Sequence, residues 1–408
     1  MTQTERYFFE LLQVAIGNRD SLSGAPTPEE WEEIYEMSKD QTMVGIAFKG
    51  VERLPQEQLP PSRRLRQWFV KADKIRKKNE KMNLECAKTC YALAKKGLHS
   101  CIIKGQANLR NYGPSKSPLK GDLPRAQQTI VESGCLPSRE VGGSAKGGRE
   151  DLYWYRTPGD IDVWAWSDSG KVSDVIREVK KINPKADIYY HHADCDIVGE
   201  TETEVHYRPS WMCAPWRDRI LQRFCNEHKS TIGRFPVVLS DGRKTFFFVP
   251  SVEFDAVYQL VHIYRHLFAE GIGLRQMLDY WTLLTSLKGR KAALDEAMKV
   301  ISKLGMRKFA GAVMFVMQEV FGMKDEYLLC TPNEKEGRFL LSEIMLAGNF
   351  GHADERINVT KEENAAKWGL MKLRRNMRFL MSYPEEVICE PFFRVYHWMW
   401  RTIRLWRF

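Results

Sequence analysis

The sequence predicts an α+β fold in which helical stretches flank a central segment of mixed strands and helices. Three observations carry that prediction. Apolar residues recur at helical spacing through the first hundred positions, short runs of β-formers lie between residues 100 and 249, and the pattern is helical again after Pro250-Ser251. The corresponding division is a helical region over 1–98, a mixed core over 99–250 and a helical region over 251–408. With 408 residues the chain can form two or three domains, or one core with added helical layers.

The elements follow in order. Phe8, Leu11, Leu12 and Ala15 share a helix face. Thr27-Pro28-Glu29-Glu30 reads as a helix start, with Thr27 as N-cap and Pro28 at the first helical position. A long helix is expected from about Ser62 to Lys96, its lysine- and arginine-rich face in solvent. Ser100 to Ile103 reads as a strand, Lys104-Gly105 as a tight turn, and Gln106 to Asn111 as a short helix. Between 112 and 156 the composition turns to Gly, Ser, Pro and Lys, which reads as an insertion loop within the core. Its Gly142–Gly148 run lacks the G-x-x-x-x-G-K-[ST] pattern of a phosphate cradle. Strands are then expected at Ile161–Trp164, Ile188–His192, Glu202–Tyr207 and Pro236–Leu239, with a helix over Ser173–Lys181. Ser240–Arg243 reads as a hairpin turn, returning through Lys244–Val249.

Composition narrows the class. Hydrophobic residues at 43% and charged residues at 28% suit a globular protein, and no stretch reaches the roughly 18 apolar residues of a spanning helix. The first residues lack the pattern of a signal peptide, so a cytoplasmic location is expected. The nine cysteines form no C-x-x-C pair, which favours buried free thiols over a zinc site or a disulfide framework. A net charge of +10 favours an anionic partner, although a solvated basic helix face explains it equally well.

The chemistry concentrates in Thr157-Pro158-Gly159-Asp160-Ile161-Asp162-Val163-Trp164. Residues two apart on a strand share a face, so Asp160 and Asp162 project together. Paired carboxylates repel one another, and a bound divalent cation of the Mg²⁺ or Mn²⁺ type relieves that repulsion. Glu204 is the third carboxylate, on a strand face with Glu202 and His206; it completes the site if the two strands are neighbours. It then serves as a metal ligand or accepts the proton of an attacking hydroxyl. Arg265, Arg275 and Asp279 are expected to form a polar network near the cleft, with Arg265 or Arg275 as a phosphate contact. His262 and His266 lack the glutamate of H-E-x-x-H. His191 and His192, read as neighbours on one strand, should point to opposite faces and not share a site. The aromatic and basic stretch Phe392–Arg401 is expected to dock on the core, with membrane-surface contact or nucleic-acid stacking as the other options.

Ile103-Lys104-Gly105, Gly159-Asp160-Ile161-Asp162 and Glu204-Val205-His206 together resemble the DNA polymerase β-type nucleotidyltransferase superfamily. More closely, the chain resembles an uncharacterised bacterial nucleotidyltransferase family common in Bacteroidetes, including that family's helical segment. Here it reads His262–Phe268 followed by Gly271-Ile272-Gly273-Leu274-Arg275-Gln276. The likeness spans roughly Ile102 to Trp281. It implies a small mixed sheet backed by helices and a catalytic set of Asp160, Asp162 and Glu204 holding Mg²⁺ or Mn²⁺. It also implies a turn at Lys104-Gly105 that receives the triphosphate of an NTP substrate, from which a nucleoside monophosphate passes to a hydroxyl acceptor of unknown kind. Gln106 departs from the superfamily, which usually has a small residue there. That departure motivates an alternative: a nucleotide- or partner-binding module that keeps the fold without turnover. Direct nucleic-acid binding through the basic helices is a third option.

Overall fold

Strand β2 (Ile161–Trp166) reads Ile-Asp-Val-Trp-Ala-Trp, nearly continuous in apolar residues, as suits a strand covered on both faces. In the computed structural model, which describes residues 1–112, 149–238, 244–351, 354, 356 and 365–405, β2 lies inside a five-stranded mixed sheet. β1 (His99–Ile102) pairs antiparallel on one side, and β5 (Thr203–His206) pairs parallel on the other. Beyond β5 come β4 (His192–Asp194) and then β3 (Asp187–Ile188), each antiparallel to its neighbour. A parallel pair cannot be joined by a tight turn, and the helix Val172–Ile182 lies in the long connection from β2 to β5. β6 (Gly233–Val238) and β7 (Lys244–Val249) form a separate antiparallel ribbon packed beside β1. The fold is therefore α+β, a small mixed sheet between helical stretches.

Strand alternation sorts side chains onto the two faces of the sheet. Ile161, Val163 and Ala165 of β2 join Val205 of β5 and Ala193 of β4 in an apolar cluster. Met82, Cys86 and Leu93 of the long helix α4 (Ser62–Ala94) close that cluster. Asp162 and Trp164 belong to the opposite face, where Trp164 stacks on Phe254 at 5.7 Å and 13°. Phe254 lies on the helix Val252–Ala269, whose N-cap Ser251 accepts from the Phe254 amide at 3.2 Å. A second apolar cluster joins this helix to α1 (Gln3–Ile16), α2 (Pro28–Asp40), α3 (Val44–Val51) and the helices Leu274–Ser286 and Arg307–Phe321.

Several expectations hold in detail. Thr27 and Glu30 cap α2 reciprocally, at 3.2 and 2.8 Å. Eight cysteines are free among the described residues, six of them buried. Also among these residues, no helix is long and apolar enough to cross a membrane.

Others change. The segment read as an insertion loop is built into the molecule at both ends. Tyr112 closes a 3-10 segment (Gly105–Tyr112), and Leu152 to Arg156 are buried, most of them in a second one (Arg149–Tyr155). Asn79 of α4 donates to the Trp154 and Arg156 carbonyls at 2.8 Å each, so polar side chains on a helix pin this stretch. Residues 113–148, including the glycine run, lie outside the described residues, as do Leu239 and the turn Ser240–Arg243. The expected strand Ile188–His192 is instead two short strands, with a bend over 189–191 between β3 and β4. The helix Pro215–Glu227 was not anticipated. The C-terminal helix Pro384–Leu405 docks by one side only: Phe393, Tyr396 and Trp400 surround Tyr190, while Phe392 and Trp398 stay exposed.

Candidate active site

Three adjacent strands place their polar residues in register. Asp162 of β2 is the partner of Glu204 on β5, and Glu204 is the partner of Asp194 on β4. Two residues along, Trp164, His206 and His192 form the next row. The strand adjacency on which Glu204 depends is thus present. His206 Nε2 lies 2.9 Å from Asp162 Oδ1 and 3.0 Å from Glu204 Oε2, donating between the two carboxylates.

Lys104 reaches the same place from β1. The Ile103 amide donates to the Asp162 carbonyl at 3.0 Å, extending the strand pairing. Lys104 Nζ then lies 2.6 Å from Asp162 Oδ1. Gly105 follows with φ of +54°, a backbone conformation that favours glycine and turns the chain into the 3-10 segment. Gln106 points away from the cavity, donating to Asn83 Oδ1 of α4 at 2.9 Å.

The charges in this group hold one another. Burial works against the Lys104 ammonium, but Asp162, Glu204 and Asp160 outweigh it and raise its pKa. Burial also opposes the Glu204 carboxylate, yet the His206 hydrogen bond and the Lys104 charge hold that carboxyl far below its usual range. For His206 burial is overcome by its bonds to Asp162 and Glu204, which push the imidazole upward. Asp160 differs: burial and the neighbouring Asp162 charge raise its carboxyl, with Lys104 opposing in part. It precedes β2 and lines the cavity. The ligand atoms of Asp162, Glu204 and His206, by contrast, lie within 4.8 Å of one another, a spacing that fits one metal ion.

The cavity measures about 250 Å³, and residues of the helices Val252–Ala269 and Leu274–Ser286 form part of its wall. Gln259, His262 and His266 recur at helical spacing on the Val252–Ala269 helix and face into it. Arg265, Arg275 and Asp279, expected near the cleft, all line the cavity, and the Asp279 charge acts on Arg275. Asp279 is already engaged by Arg156, at 2.7 and 2.6 Å, and by Tyr112 Oη at 2.8 Å and Asn108 Nδ2 at 3.0 Å. Arg265 pairs with Glu386 of the C-terminal helix and lies 4.7 Å over the Trp211 ring. Arg275 donates to the Thr157 carbonyl at 3.0 Å; burial and the nearby Arg156 charge lower its pKa to about 10.

His191 and His192 also differ from expectation. The bend over 189–191 breaks the alternation that would have separated them, and both line the cavity. His191 Nε2 and His192 Nδ1 are 2.7 Å apart, and His192 Nε2 is 3.0 Å from Asp194 Oδ1. A His-x-Asp pattern on the strand beside Glu-x-His was the available signal, and assigning one continuous strand obscured it.

The model of a family described as an uncharacterised nucleotidyltransferase matches residues 27–123 and 151–322, about two thirds of the chain. The protein belongs to this nucleotidyltransferase family. The family match reaches well beyond the Ile102–Trp281 span suggested by motifs, taking in α2 to α4 and the Arg307–Phe321 helix. It passes over 124–150, inside the stretch read as an insertion. Comparisons with curated proteins and with solved structures give no match. Within the nucleotidyltransferase match fall the candidate site residues Lys104, Gly105, Asp160, Asp162, Glu204, Arg265 and Arg275.

Proposed function

We propose that this protein transfers a nucleoside monophosphate from an NTP to a hydroxyl acceptor, on a core of the DNA polymerase β type. One observation carries the reading: parallel strands set Asp162 beside Glu204 on the cavity face, with Lys104 and His206 as their counter-charges. The donor set fits a divalent cation. Two carboxylates and an imidazole converge, the Lys104 ammonium stands where positive charge is wanted, and Asp160 lines the same cavity as a further carboxylate.

Asp162 and Glu204, with Asp160 beside them, would hold Mg²⁺ or Mn²⁺. Such an ion, when bound, supplies charge stabilisation to the reacting phosphate oxygens. Glu204, adjacent to Asp162 on the neighbouring strand and bonded by His206, is placed to ligate the ion or to accept the proton of the attacking hydroxyl. The Gly105 turn offers backbone amides at the start of the 3-10 segment to the triphosphate, and Lys104 adds charge beside them. Arg275, which donates to the Thr157 carbonyl and lies beside Gly159, is the phosphate contact nearer the Asp160 end of the cavity, whereas Arg265 is paired with Glu386. Gln106 faces α4, so its size does not obstruct the turn, and the non-catalytic alternative loses the feature that motivated it.

The test is incubation of the full chain with α-labelled NTPs and Mn²⁺ or Mg²⁺, scoring pyrophosphate release and labelled product. Metal-dependent release that Asp162→Asn removes is the expected result. Failure to bind or turn over any of the four NTPs with either metal would refute the proposal.

A further inference from the structure

We propose that the cavity contains a second metal subsite, formed by the imidazoles of His191, His192 and His206, for a borderline transition-metal ion of the Zn²⁺ or Co²⁺ class. It shares a wall with the carboxylate site but does not depend on nucleotidyl transfer. Nitrogen atoms of the three rings lie within 4.8 Å of one another. His191 Nε2 and His192 Nδ1 share a hydrogen bond of 2.7 Å, and an ion taking both in its place would part them only to the roughly 3.4 Å of tetrahedral ligands each about 2.1 Å from it.

The surroundings are those of a ligand set. A metal-bound imidazole commonly turns its second nitrogen to a carboxylate. His192 does so through Nε2 to Asp194, and His206 through Nε2 to Asp162 and Glu204. That turns Nδ1 of each ring away from the carboxylates: in His192 it meets His191 Nε2, and in His206 it is left for another partner. His206 is 2% exposed, and its Nδ1 has no hydrogen-bond partner among the described residues. A buried polar atom left so is costly unless something binds it. His191 rests against Trp211, ring centroids 3.9 Å apart, and Trp211 stacks on Phe393, which fixes the ring on an apolar wall. Imidazoles prefer zinc-like ions, whereas Asp160, Asp162 and Glu204 offer the oxygens that magnesium prefers. His206 is common to both sets and joins them.

The experiment titrates the metal-stripped full chain with Co²⁺, following visible ligand-field absorption and the binding isotherm. The wild type should bind with a nitrogen-ligand spectrum. His191→Gln and His192→Gln should each weaken binding by at least about tenfold, the scale on which even outer partners of a metal ligand count. Asp160→Asn should leave the Co²⁺ spectrum in place while weakening Mn²⁺–NTP binding. Near-ultraviolet circular dichroism checks that each variant is folded, and either histidine variant alone suffices. The subsite is overturned if the wild type binds no Co²⁺, if the histidine variants titrate like the wild type, or if Asp160→Asn weakens Co²⁺ as much as they do. Loss of NTP binding with an intact Co²⁺ response would remove the transferase reading and leave this subsite standing.

Discussion

The two faces of the five-stranded sheet are built from alternate residues of the same strands, yet they do opposite work. Val163, Val205 and Ala193 face α4 and are fully buried among apolar neighbours. Asp162, Glu204 and His192, one residue away, face a polar cavity. The apolar face supplies stability by removing hydrocarbon from water; the polar face gathers charges that would separate if the strands were free to move. The difference teaches that the strained chemistry of one face rests on the packing of the other, and substitutions should separate the two.

Lys104→Met should have the largest effect. Removing one partner of a mostly buried ion pair costs about 3 to 5 kcal/mol, and thermal unfolding should show that loss in chelator and partial recovery in Mn²⁺. Equal loss under both conditions would mean that Lys104 does not occupy a cation's place. Asp162→Asn should lower turnover on the order of 10²- to 10³-fold, the scale for deleting one preorganised electrostatic group. Pyrophosphate release measures it, and far-ultraviolet circular dichroism should stay unchanged. Val205→Ala, on the other face, should cost about 2 kcal/mol in denaturant unfolding while leaving Mn²⁺ affinity as it was. A change in that affinity would show that the faces are not separable. Gln106→Ala should cost only about 1 kcal/mol, with NTP affinity unaltered, because its side chain serves α4 and not the phosphate turn.

Much of this comparison was legible in the sequence. Period-two alternation in Ile161–Trp164 and Glu202–Tyr207 identified the strands, and Thr27 with Pro28 announced the start of α2, because these signals are local. What escaped depended on distant partners. Arg156 lies at the edge of a glycine-rich stretch, and only the folded chain brings its guanidinium to Asp279. Arg265 finds Glu386 more than a hundred residues away. His191 and His192 were separated by an alternation rule that a three-residue bend suspends. His206 stood in the motif from the start, but its place between Asp162 and Glu204 required the strand register.

The most direct measurement is isothermal titration of the full chain with a non-hydrolysable NTP analogue, with and without Mn²⁺, beside the same titration of Asp162→Asn. Binding that requires Mn²⁺ in the wild type and disappears in the variant is the predicted result. Analogue binding that ignores both the metal and Asp162, or no binding at all, would contradict a metal–nucleotide site on the polar face.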